Sequence, residues 1–213
     1  MAATTKWRYD RGTEEFSRFL AFTDAVIAIA MTLLVLGIDI PRPASGSGGA
    51  GVDVWAVFGD LWPQIFAFVL SFVIIGFYWV QHHRFVSALE AVDMVMLKWN
   101  LCFLLVIVSL PLMSELIGYY GNNEQAVTVY AASFVALGVV DSISYLIAVR
   151  RGLMITTPSA AMVRFQMLAR LTAPFVFAIS IPIAFVWSPA AAEYSWIAIW
   201  PLSLLTTRNP PEV

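Results

Sequence analysis

Charge is scarce in this chain of 213 residues: 12% of its side chains are charged, about half the share of roughly 25% usual in soluble domains. Such a composition excludes a disordered chain and a basic nucleic-acid-binding module, so no nucleic acid partner is expected. Cysteine occurs once, as Cys102, which excludes a disulfide framework and any cysteine-based metal site. Histidine occurs only as the neighbours His82 and His83. Adjacent helical residues point about 100° apart, so the two cannot chelate one metal as an i, i+4 pair can. There is no Gly-rich phosphate loop and no HExxH, hence no enzyme signature and no tightly bound cofactor or metal to expect. Two devices of ion channels are also missing. No TVGYG-like segment offers a filter of backbone carbonyls, and no arginine recurs at every third residue as in a voltage-sensing helix.

What the chain does have is apolar surface. Hydrophobic residues make up 60% of it, and the mean hydropathy is +0.80. One 23.6 kDa globule cannot hide so much, so part of it must face lipid. Fifteen Phe and eight Trp suit the membrane interface. A helix needs about 20 apolar residues to cross the hydrocarbon. Six windows qualify: 19–40, 61–80, 95–117, 126–149, 165–187 and 190–205, the last being the shortest. The expected fold is an all-α integral membrane protein, with a six-helix domain over 19–206, an N-terminal segment 1–18 and a tail 207–213. The Pro/Gly/Ser-rich stretch 41–53 reads as a flexible linker. No internal repeat is visible.

Orientation follows from the basic residues. If six spans alternate, Lys6, Arg8, Arg11, Arg18, Arg84, Lys98, Arg150, Arg151, Arg164, Arg170 and Arg208 share one side, and Arg42 alone falls on the other. The positive-inside rule then places both termini in the cytoplasm.

Two carboxylates interrupt the apolar runs. Asp24 lies inside the first window, with Arg18 and Thr23 near it in sequence and His82 and His83 at the matching end of the second. Either it latches the first span to the second, or it snorkels to the inner interface. Asp141, flanked by Ser142 and Ser144, is either an ion or proton site or a bond to a neighbouring helix. At 100° per residue, Ile29, Leu33 and Leu36 form one narrow stripe with Thr32 at its edge, and Asp24 lies nearly opposite. Taken alone, that stripe is most simply a lipid-facing or packing surface.

The run Arg18-Phe19-Leu20-Ala21-Phe22-Thr23-Asp24 resembles the R-x-x-x-F-S-D motif of the endolysosomal potassium channel family, transmembrane protein 175 and its bacterial members. Thr23 replaces the serine and keeps the hydroxyl. The continuation AVIAIAMTLL, the FYWVQHHRF that ends the second span, and the Asn-bearing, Pro-containing third span are similar to the same family. The likeness covers about residues 15–125. It implies a potassium-permeable cation channel in a bacterial plasma membrane. Four copies of the chain would surround a central pore lined by the first helix, with potassium as the permeant ion. On motif alignment Ile29 is the constriction, Leu33 and Leu36 are further hydrophobic rings, and Thr32 is the selectivity-linked threonine. Arg18, Phe22, Thr23, Asp24, His82 and His83 form the polar network behind the pore helix. Potassium preference over sodium should be modest. The rival reading is a secondary transporter that uses Asp24 or Asp141 as a proton or cation site.

Overall fold

The computed structural model describes residues 7–42 and 51–207. The tail expected beyond 207, most of the linker, Lys6 and Arg208 lie outside the described residues. The rest is almost wholly helical. The elements are β1 (Arg8–Asp10), α1 (Glu14–Leu33), a 3-10 turn (Leu34–Gly37), α2 (Val54–Asp60), α3 (Trp62–Ser87), β2 (Ala91–Asp93), α4 (Met94–Tyr120), α5 (Glu124–Arg150) and α6 (Ala160–Val186). They are followed by α7 (Pro189–Ser195), a second 3-10 turn (Trp196–Ala198) and α8 (Ile199–Thr207). Among the described residues five helical stretches are long and apolar enough to cross a membrane: α1 with its 3-10 extension, α3, α4, α5 and α6. The window 190–205 is helical as well, but it is divided among α7, the 3-10 turn and α8. Pro189 opens α7 at a position where proline is tolerated, and Pro201 sits in the first turn of α8, so the residues restart a helix instead of continuing one.

The helix starts are written in short polar side chains. The Thr13 hydroxyl accepts from the Phe16 amide ahead of Glu14 and Glu15, which suit the positive end of α1. Asp53, Asp93, Asn123, Ser159 and Ser188 cap α2, α4, α5, α6 and α7 in the same manner.

At one end of the bundle the three segments rich in basic residues come together. β1 pairs antiparallel with β2, with Tyr9 opposite Val92. Leu89 bridges to Met154, and Arg11 donates to the carbonyl oxygens of Ser87 and Leu89. Buried Asp93 joins this knot by pairing with Arg151. A small apolar cluster of Phe16, Phe19, Phe85, Leu89, Val92, Met96 and Tyr145 fills the space above it. The larger core lies between α1, α3, α4, α5 and α6, around Ile27, Ile75, Phe103, Ile107, Phe134 and Phe177. α5 and α6 cross closely at Gly138: a Cβ placed there would stand 2.0 Å from Pro174 Cγ and 2.7 Å from the Tyr78 hydroxyl.

Candidate functional site

α1 has two unlike faces. Phe19, Thr23, Ile27, Ala30 and Leu34 are buried against the bundle. Ile29, Leu33 and Leu36 are 58%, 43% and 74% exposed, against 1% for Ile27 and 2% for Leu34. The helical period explains the split, because Ile29 and Ile27 stand about 160° apart around the axis. Thr32 lies on the exposed face, and its hydroxyl donates to the Ile29 carbonyl at 2.7 Å. That bond uses the hydroxyl proton and leaves the oxygen lone pairs free to accept. One side of α1 therefore presents a ladder of branched aliphatic groups with a single hydroxyl.

The buried side of α1 is held by polar contacts. The Thr23 hydroxyl donates to the Phe19 carbonyl at 2.9 Å and accepts from Asn100 Nδ2 of α4 at 2.8 Å. Asp24 Oδ1 accepts the indole N–H of Trp79 on α3 at 2.9 Å. His83, exposed, rests its ring 5.6 Å from that of Trp79. The first two spans are thus latched, with Trp79 and not a histidine as the direct partner of Asp24. Arg18 and Phe22 lie on the exposed face instead of behind the helix, and Arg18 forms no ion pair among the described residues.

His82 belongs to a second centre. It is buried, stacks on Phe103 at 4.3 Å and turns Nδ1 toward Asp141 Oδ1 at 3.7 Å, too long for a hydrogen bond. Asp141, fully buried on α5, is paired with Arg170 of α6 and accepts from Gln81 Nε2 of α3 at 2.7 Å. The Arg170 guanidinium lies over the rings of Phe85, 5.1 Å away, and Tyr145, 4.7 Å away. Arg170 is therefore a buried partner inside the bundle and not a loop charge. Sequence reasoning missed Trp79, Asn100, Gln81 and Arg170 in these roles. The one available signal was the presence of two opposite charges, Asp141 and Arg170, within apolar runs, where each demands a partner. No group of three metal-ligating side chains occurs among the described residues.

These features define a class: a multi-span α-helical membrane protein whose first apolar helix is anchored by polar bonds on one side and leaves an aliphatic stripe open on the other. Residues 18–111 match the family described as "Endosomal/lysosomal potassium channel TMEM175". Through that stretch, which is less than half of its length, the chain is similar to the TMEM175 family. Over 120 residues it is 35% identical to a potassium channel of Streptomyces collinus, covering 56% of this chain and 56% of that one. Over 129 residues it is 36% identical to a potassium channel of Chamaesiphon minutus, covering 59% and 62%. The alignment thus spans less than two thirds of either relative. The crystal structure of a lysosomal potassium-selective channel TMEM175 homolog from Chamaesiphon minutus superposes with a TM-score of 0.72 at 26% identity, over 91% of this chain and 99% of that one. A variant of the potassium channel MtTMEM175 shares the fold, with a TM-score of 0.61 at 19% identity.

Proposed function

We propose that the chain is a potassium-permeable cation channel and not an enzyme. It assembles as a homotetramer, with four α1 helices around the ion pathway. The observation that carries this reading is the open stripe of Ile29, Leu33 and Leu36, which lies on the helix that bears the R-x-x-x-F-T-D run and within the stretch matching the channel family. Single-chain exposure of this kind suits a surface that four copies bring together. Aliphatic rings offer an ion no ligands, so a narrow one closes the pathway by dewetting. Leu33 and Leu36 stand about 6 Å and about 12 Å along the axis from Ile29, the second distance including three residues of the 3-10 turn, which gives three barriers in series. The Thr32 oxygens, with lone pairs to spare, form the polar layer among them and favour the ion that is cheaper to dehydrate.

The knot of β1, β2 and the α5–α6 connection supports the proposed topology. It gathers Arg8, Arg11 and Arg151 at one end, which we read as cytoplasmic. With α7 and α8 together as the sixth crossing, both termini lie on that side of the plasma membrane. The transporter reading loses ground because Asp141 is already neutralised by Arg170 and Asp24 is held by Trp79. The test is recording from purified protein in planar bilayers under opposed potassium and sodium gradients. Unitary currents reversing toward the potassium potential are expected. Coupled flux without unitary currents overturns the channel.

A further inference from the structure

On α3, Trp79 and Gln81 stand about 200° apart, so they face nearly opposite sides of one helix. Trp79 reaches α1 by donating its indole N–H to Asp24 at 2.9 Å. Gln81 reaches α5 by donating its amide to Asp141 at 2.7 Å. Asp141 is a fixed point, fully buried and clamped by Arg170, whose guanidinium is itself sandwiched with Phe85 and Tyr145. Elsewhere on this stretch of α3, Ile75 and Tyr78 pack in the core, and His82 stacks on Phe103 with its Nδ1 3.7 Å from Asp141 Oδ1, beyond hydrogen-bond reach. Such contacts are largely non-directional and specify rotation about the helix axis only loosely. The two hydrogen bonds are directional, and rotation is what they constrain.

We infer that Gln81 is a positioning residue for the ion pathway: by tying α3 to Asp141 it sets the rotation of α3, and Trp79 passes that setting to α1 through Asp24. This rests on the reading of α1 as the pore-lining helix. Side chains on the rim of a helix sit about 5–6 Å from its axis, so a rotation of roughly 15° moves them by about 1.5 Å. That displacement exceeds what the Trp79–Asp24 bond tolerates, so α1 turns with α3 or loses its anchor. Either outcome alters the angle at which Ile29 and Thr32 meet the pore axis. Gln81 touches no permeant ion in this scheme.

The test is bi-ionic recording of Gln81→Met, Trp79→Phe and the double variant in bilayers beside the wild type, with melting and assembly state measured in detergent. Methionine keeps the length of Gln81 and removes the amide. Because Arg170 still neutralises Asp141, assembly should persist, and melting should fall by no more than the roughly 1–6 °C that one lost hydrogen bond is worth. The potassium-to-sodium permeability ratio should fall toward unity, by about twofold or more. In the Trp79→Phe background the Gln81 substitution should add nothing, because both act through one linkage. If the methionine variant fails to assemble, Gln81→Asn, one methylene too short to reach Asp141, should give the same loss of selectivity. An unchanged permeability ratio, or effects of Gln81 and Trp79 that simply multiply, overturns the inference while leaving the channel intact. Absence of potassium current in the wild type overturns the channel reading, and this inference with it.

Discussion

Three helical glycines allow the packing of this bundle to be tested with one substitution. Glycine to alanine in a helix interior gains about 0.5–1 kcal/mol of propensity wherever space allows. Space differs at the three sites. A Cβ on Gly76 of α3 meets nothing closer than the flexible Met31 Cε at 3.7 Å, an ordinary contact. On Gly118 of α4 it stands 3.1 Å from the Gln64 backbone, so the helix must give by a few tenths of an ångström. On Gly138 of α5 it stands 2.0 Å from the ring of Pro174, which must recede by about 1.4 Å to reach ordinary contact at 3.4 Å. Pro174 is bonded into the backbone of α6 and cannot rotate away, so the helices themselves must part. Their parting strains the nearby Asp141–Arg170 pair and the Tyr78 contact. Overpacking of this kind costs about 1–3 kcal/mol, and the propensity gain recovers only a fraction. At this chain length 1 kcal/mol corresponds to roughly 2–4 °C in Tm. Gly76→Ala should therefore raise the melting temperature of the detergent-solubilised protein by about 1–4 °C, Gly118→Ala should leave it nearly unchanged, and Gly138→Ala should lower it by up to about 10 °C. Melting followed by intrinsic tryptophan fluorescence gives the ranking. Equal shifts at Gly76 and Gly138 would refute the close crossing of α5 and α6.

Ile29→Asn should raise basal current and admit sodium more freely in bilayers, since four amides around the axis stabilise water at the constriction. The matched control is Leu105→Asn on α4, equally open at 69% exposure; Ile27 is buried at 1% and would report on folding instead. Identical currents from the Ile29 and Leu105 variants would move the pathway elsewhere. Thr32→Val keeps the shape and removes the oxygen, so potassium preference in bi-ionic reversal potentials should shrink while conduction persists. In a Cys102→Ala background, cysteine at Gly121 should react with impermeant thiol reagents from outside, and cysteine at Ser159 only from inside. External labelling of Ser159 would invert the topology.

The long apolar helices were legible because hydropathy is a local property: about 20 consecutive lipid-compatible residues announce themselves without any partner. Their caps are equally local in the structure, since Thr13, Asn123 and Ser159 bond to amides two or three residues away. The stripe of Ile29, Leu33 and Leu36, opposite Asp24, follows from the helical period alone. Which stripe stays open is a tertiary fact, decided by the packing of Ile27, Ala30 and Leu34 into the core. Partner choice was likewise beyond the sequence. Asp24 lies 55 residues from Trp79, and Asp141 lies 60 from Gln81 and 29 from Arg170. A buried carboxylate requires some donor, but only the crossing of helices decides which one arrives. His82 and His83 show how fine that decision is: one residue of helix rotation buries the first against Phe103 and leaves the second exposed beside Trp79. Residues 190–205 mark the opposite limit. Their hydropathy reads as one continuous helix, yet Pro201 and the burial of Trp196 against Tyr130 and Phe177 accompany a break into α7, a 3-10 turn and α8, because backbone geometry and a packing site act where apolar length is silent.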